Sequence, residues 1–196
     1  MSYFSNRKLS LKVVILVTVA ALVTYASQDG PIDRVTGDFG EQNCTFCHSD
    51  FPVDSGRDQG GTFDILDVPP QYTPGQTYTI RVSLGQPLQK KWGFELAARF
   101  VEDGAQAGGI TVTNLDQMQL STDPDTGVQY LKQTYTGTFD GTLDGPVEWS
   151  FDWTAPDSGT VRFGAAGNAA DGDNSRFGDY IYTTTQETSP AASARN

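Results

Sequence analysis

Thr77-Tyr78-Thr79-Ile80-Arg81-Val82-Ser83-Leu84 alternates strictly between polar and apolar residues, directly after a turn signal at Thr73-Pro74-Gly75-Gln76. Successive side chains of a strand point to opposite faces, so this stretch predicts a strand with one face on a core and one in water. Short segments of the same kind recur at 62–68, 92–101, 110–114, 130–139, 147–153, 160–166 and 180–185, with Gly, Pro, Asn and Asp clusters between nearly all of them. In 92–101 the polar positions are Glu95 and Arg99. About eight strands at this spacing, without an amphipathic helix, predict an all-β antiparallel sandwich over 62–185. Trp92, Trp149 and Trp153 each fall within a strand and are expected in its core, while Lys90-Lys91 reads as a solvated strand start. Residues 186–196 end in Ser, Pro and Ala and read as a flexible tail.

Ahead of the strands, residues 27–61 are rich in Gly, Asp and Ser and show no helical period, which predicts an irregular segment. It carries Cys44-Thr45-Phe46-Cys47-His48, which holds both cysteines of the chain and its single histidine. Two thiols three positions apart match the two vinyl groups on one porphyrin edge, and the next residue brings an imidazole to the iron. The motif therefore reads as a covalent site for one haem c, with Cys44 and Cys47 binding the porphyrin and His48 the proximal iron ligand. Two other chemistries stay open. One is a disulfide or redox pair, although the redox form wants a βαβ setting that the surroundings do not supply. The other is zinc, which needs a fourth ligand such as Asp50 and an awkward use of adjacent Cys47 and His48. Phe46, Phe51, Pro52 and Val53 are too few to cover a porphyrin, so the sandwich or another subunit is expected to supply a second wall.

The N-terminus fits export. Arg7, Lys8 and Lys12 precede an apolar run from Val13 to Val23, and Thr24-Tyr25-Ala26 places small residues where a signal peptidase cuts. Residues 1–26 are read as a cleaved signal, or alternatively as a retained membrane anchor over 9–26; either way the remainder is periplasmic or at the cell surface. Cleavage leaves 10 basic against 24 acidic residues. Nucleic acid is an unsuitable partner for such a surface, because phosphate contacts need Lys and Arg. The acids serve solubility, or steer the protein to a basic partner such as a cationic redox protein.

The single histidine excludes more. If His48 binds iron, no Ser-His-Asp or Cys-His arrangement remains, and no pairing of carboxylates suggests a glycosidase, so the chain reads as a non-enzyme. Met118 is the only methionine besides Met1 and is the candidate distal iron ligand, with a place in the core as the simpler account. Asp171-Gly172-Asp173-Asn174 with Asp179 gathers oxygen ligands around glycine as calcium loops do, but lacks the length and bidentate Glu of an EF-hand, and an Asx-rich turn explains it as well.

Several separate stretches resemble the Reeler (reelin N-terminal-like) domain. Tyr72-Thr73-Pro74-Gly75-Gln76-Thr77-Tyr78 resembles its opening, and Trp92-Gly93-Phe94-Glu95-Leu96-Ala97-Ala98-Arg99 its Gly-Phe strand. Trp153-Thr154-Ala155-Pro156 with Gly159-Thr160-Val161-Arg162-Phe163 resembles its late strand pair. Ala165-Ala166-Gly167-Asn168-Ala169-Ala170 and Gly178-Asp179-Tyr180-Ile181-Tyr182 are similar to an exported bacterial branch that often carries an N-terminal Cys-x-x-Cys-His. The resemblance implies an immunoglobulin-like sandwich outside the cytoplasm and little about activity. The branch often ends in a surface anchor. After Tyr182 neither a second apolar span nor a sorting motif is evident, so anchoring is expected from the N-terminus or a partner. Function divides three ways. The first is an exported monohaem cytochrome serving electron transfer, or an accessory subunit of a respiratory or photosynthetic membrane complex. The second is an extracytoplasmic binding or scaffold module with a Cys44–Cys47 disulfide. The third, a haem-based sensor, lacks a signalling element.

Overall fold

The computed structural model describes residues 29–192, so the signal or anchor read over 1–26 lies outside the described residues. Its strands are β1 (Thr62–Leu66), β2 (Gln71–Tyr72), β3 (Thr77–Gly85), β4 (Lys91–Phe100), β5 (Gly109–Val112), β6 (Met118–Thr122), β7 (Gln129–Gln133), β8 (Val147–Thr154), β9 (Val161–Ala170) and β10 (Tyr180–Pro190). They form a four-stranded sheet in the order β1-β3-β8-β5 and a six-stranded sheet in the order β2-β10-β9-β4-β7-β6. Every strand pair is antiparallel except β2 with β10. The helical pieces among the described residues are three-residue 3-10 turns at Cys44–Phe46, Arg57–Gln59 and Thr136–Thr138. The chain is the antiparallel-rich β-sandwich that the period-2 segments predict.

The alternation of β3 works as expected. Ile80, Val82 and Leu84 are fully buried between the sheets, while the outward positions make cross-strand polar pairs. Arg81 bonds Asp67 at 2.6 Å and Glu148 at 2.9 Å, and the Thr79 hydroxyl donates to Asp152 at 2.7 Å. The preceding turn closes with Gln76 N–H on the Thr73 carbonyl at 3.1 Å. Gly75 there has φ of 72°, the left-handed third position that a Pro-Gly turn of this type requires.

The core is aromatic. Trp153 meets Phe163 edge-on at 5.0 Å and Tyr72 at 5.7 Å, and Trp149 lies 4.5 Å from Phe94. A buried indole N–H must find an acceptor, and each of the three uses a loop carbonyl. Trp92 donates to Thr142 at 3.0 Å, Trp149 to Gly137 at 2.9 Å and Trp153 to Ala107 at 3.0 Å. The tryptophans thus fix loops as well as filling volume.

Four expectations are corrected. The strand expected over 130–139 ends at Gln133, and the chain bends into a 3-10 turn whose Gly137 carbonyl receives Trp149. Strands β2 and β6 were not foreseen, being short and without clear alternation. The tail read over 186–196 is strand as far as Pro190, because Thr188 is buried and Ser189 and Pro190 pair in parallel with β2. Lys91, expected in solvent, is buried. Its ammonium lies 3.2 Å from Asn174, 3.5 Å from Asp140 and 5.7 Å from the Tyr135 ring, partners that offset its loss of water.

Truncating Trp153 removes the ring at the centre of the aromatic cluster and frees the Ala107 carbonyl. Trp153→Ala is expected to destabilise the domain by about 3 to 5 kcal/mol in urea denaturation, with strand-dominated circular dichroism retained below the midpoint.

Candidate functional site

The two sheets treat their outer faces differently. That of the four-stranded sheet is solvated, whereas the segment 29–61 straps the six-stranded sheet, crossing its outer face and then passing along the free edge of β10, where the Asp54 N–H bonds the Ile181 carbonyl at 2.7 Å. Small residues allow this close approach. A side-chain carbon added at Gly164 would come within 2.6 Å of the Asp38 Cβ, and Ala97 and Ala166 are also buried. Charged groups then fix the strap. Glu41 accepts from Arg99 at 2.6 Å, from the Tyr130 hydroxyl at 2.5 Å and from the Thr36 hydroxyl at 2.6 Å. Lys132 donates to Asp33 at 2.5 Å and to the Pro31 carbonyl at 2.8 Å. Arg34 grips Asp123 with two nitrogens at 2.6 and 2.9 Å, which holds that carboxylate well below its usual range.

Glu95 lies beneath the strap with no exposure to water. One oxygen accepts the Val35 N–H at 2.8 Å, while the other lies 3.6 Å from the Lys132 ammonium and has no hydrogen-bond partner. Burial pushes its carboxyl up to about 8, opposed by the Val35 N–H and by Lys132. Cys44, partly buried, has its thiol pushed up to about 12, first by desolvation and then by Glu95.

The cysteine motif is a short helical turn. The Asn43 side chain caps it by accepting the Thr45 N–H at 2.8 Å, and the Cys47 and His48 N–H groups bond the Cys44 carbonyl at 3.2 and 2.9 Å. The spacing i, i+3 and i+4 is that of one helical turn, and within it Cys44 is partly buried while Cys47 is exposed. Both thiols are unpaired, and Phe46 projects with 62% exposure.

Beyond the turn the strap is clamped to the start of β10. His48 Nδ1 lies 2.5 Å from Asp179 Oδ2, the Gly178 N–H donates to Asp50 at 2.9 Å, and Phe51 stacks on Tyr180 at 4.5 Å. Asn168 Nδ2 is 3.4 Å from both ring nitrogens of His48. Equal distances put that amide against the ring face, since an in-plane approach would collide with Cε1. His48 Nε2 is thus left without an in-line donor. As a donor set, two thiols and an imidazole offering Nε2, backed by a carboxylate on Nδ1, fit covalent haem.

The other candidates lie elsewhere. Met118 is buried between the sheets, on the same face as Leu120 and Leu131. His48 lies against the opposite face of that sheet, and β6 is three strand spacings from β9, about 14 Å. The structure does not bring Met118 to His48. Asp171 and Asp173 are occupied by Asx turns to the Asp173 and Ser175 N–H groups, and Asp179 turns inward to His48. Among the described residues no group of three His, Cys, Asp or Glu side chains is placed to hold a metal ion. A cavity of about 490 Å³ opens beside Phe46 under Ile32, Arg34, Phe39, Arg99 and Tyr130, but Cys44, Cys47 and His48 do not line it.

Sequence reading missed Asp179 as a partner of His48 and missed the buried network of Glu41, Glu95 and Lys132. A signal was present. β4 and β9 are small or apolar at nearly every position, as strands covered on both faces are, so Glu95 and Arg99 were due to be covered.

No protein-family model and no curated protein matches the chain. Among solved structures it is similar to the Reelin-N domain of F-spondin, with 17% identity over 76% of this chain and 96% of that one and a TM-score of 0.47. It is similar also to the human F-spondin reeler domain, with 17% identity over 67% and 89% and a TM-score of 0.42. A cohesin module from Clostridium perfringens gives 14% identity over 66% and 96% and a TM-score of 0.44. These likenesses carry nothing about chemistry.

Two predictions follow from this geometry. The folded state keeps the Glu95 proton that the unfolded chain releases near 4.5. Stability is therefore fully present below that pH and is lost as pH rises through about 8, by roughly 3 to 5 kcal/mol at most. Urea midpoints from pH 5 to 9 should show the decline, and Glu95→Gln should flatten it. Met118→Ala should destabilise the domain by about 2 to 5 kcal/mol in the same assay, as a core truncation does.

Proposed function

We propose that the protein is an exported monohaem c-type cytochrome-like electron carrier, or an accessory subunit of a membrane electron-transfer complex, built on a β-sandwich. The observation that carries this is the Cys44–His48 turn, with two unpaired thiols and an imidazole whose Nδ1 is held by Asp179 and whose Nε2 meets only the Asn168 amide at 3.4 Å, against the ring face. Haem, when bound, supplies a one-electron couple at its iron. Cys44 and Cys47 would hold it through thioether bonds, each S–H adding across a vinyl double bond with the hydrogen passing to the neighbouring carbon, so that no oxidant is needed. His48 would offer Nε2 to the iron. The sandwich works as a rigid platform, and the strap carries the motif at its surface.

Exposure of Phe46 and Cys47 suits exchange with a docked protein. Asp50 and Asp58 on the strap, with Asp173 in the β9–β10 loop, are exposed around this end of the molecule, which supports a basic redox partner steered by charge. An N-terminal anchor over 9–26 would hold the carrier at a membrane.

The test is the intact mass of the protein made in a host competent for c-type maturation. One covalently added haem is expected, surviving denaturation, with Cys44→Ser and Cys47→Ser each weakening attachment. Two free thiols or a Cys44–Cys47 disulfide under those conditions would overturn the reading in favour of a binding or scaffold module.

A further inference from the structure

Resting on the haem reading above, we propose that Asp179 is a positioning residue for iron ligation: its buried carboxylate accepts the Nδ1 proton of His48, fixes the tautomer that leaves Nε2 bare, and makes the ring a stronger donor. Three observations meet at this pair. The contact is 2.5 Å, and the Asp179 side chain is 1% exposed against 22% for His48, so the bond is screened from water on its carboxylate side. Asp179 Oδ1 has no partner, and among the described residues His48 is the only side chain that gives Asp179 a hydrogen bond. A carboxylate can only accept, so the proton between the two belongs to Nδ1, and in the neutral ring the lone pair then lies on Nε2.

The pair is also locked in place. Asp50 accepts the Gly178 N–H, Phe51 stacks on Tyr180, and Asn168 lies against the imidazole face, so neither partner turns independently. A carboxylate behind a metal-bound imidazole increases the negative character of the ring and so favours the more oxidised metal. The consequence for this chain is a reduction potential lower than a neutral partner would give. Haem-binding motifs read from Cys-x-x-Cys-His alone do not contain this residue, since it lies 131 positions away.

A purely structural role would be to hold the strap on β10, and the test separates the two. Asp179→Asn keeps an acceptor oxygen of the same size and removes the charge. In haem-loaded protein from a maturation-competent host, the variant should retain covalent haem and normal protease resistance of the strap. Its midpoint potential should rise, its iron–histidine stretching band in the ferrous state should fall in frequency, and Asp179→Glu should restore both in part. Haem present with potential and band unchanged would overturn the role of Asp179 while leaving the haem reading standing. Absence of covalent haem in the wild type would overturn both. If Asp179→Asn does not fold, nitrogen NMR of His48 in wild-type apoprotein decides the point. Protonated Nδ1 with bare Nε2 is expected, and the opposite tautomer would overturn the proposal.

Discussion

Ionisable side chains on the outer face of the six-stranded sheet make the strap a necessity. Glu95, with no exposure to water, and Lys132, nearly as buried, sit in the middle strands β4 and β7. Left without partners under an apolar cover, such groups would cost several kcal/mol each, and left in water they would need no cover. The strap satisfies both conditions by bringing its own polar groups. Asp33 and the Pro31 carbonyl meet Lys132, the Val35 N–H meets Glu95, and Glu41 meets Arg99 and Tyr130. An irregular segment with a small apolar content is therefore held by position-specific bonds, and these set its register on the sheet.

That register decides the orientation of the motif. Glu41 is pinned three residues before Cys44, and Asp50 is pinned two residues after His48, leaving the intervening turn little freedom. The Asn43 cap and the bonds to the Cys44 carbonyl then complete one helical turn between two fixed ends. Glycine at 164 and alanines at 97 and 166 belong to the same design. Larger side chains there would lift the strap and turn His48 away from Asp179.

Much of the sandwich was legible because its signal is local. Alternation in β3 and β8, the Pro-Gly turn and the placement of three tryptophans follow from side-chain direction alone, and all are found. Local reading failed where the cause is distant. β10 continues to Pro190 because β2, more than a hundred residues earlier, offers an edge, and nothing in Thr-Ser-Pro-Ala predicts that. The stretch 130–139 breaks because Gly137 must reach Trp149 and pack on the Gln117 carbonyl. For the candidate site, the thiol pair and the imidazole were legible as a motif, since their spacing is itself the chemistry. Asp179 was not. It stands among Asp residues of a loop and differs from them only in being turned inward by the strap.

The acidic composition also changes meaning once burial is known. A net charge of −11 invites a picture of uniform repulsion, yet Asp33, Asp38, Glu41, Glu95, Asp123 and Asp179 are committed to internal pairs or are buried. Beside the four-stranded sheet, Arg81 offsets part of the charge of Asp67 and Glu148. The acids left in solvent are those of the loops and of the strap's exposed edge, with Asp50, Asp58 and Asp173 at the end that carries His48. Salt screens exposed charges over a distance of about 8 Å, so only those near a docking face contribute to recognition there. Exposed acids stand elsewhere too, among them Asp64, Glu102, Asp103, Asp125, Asp140 and Asp157, so the acidic surface is spread around the molecule and its local effect depends on which face is approached.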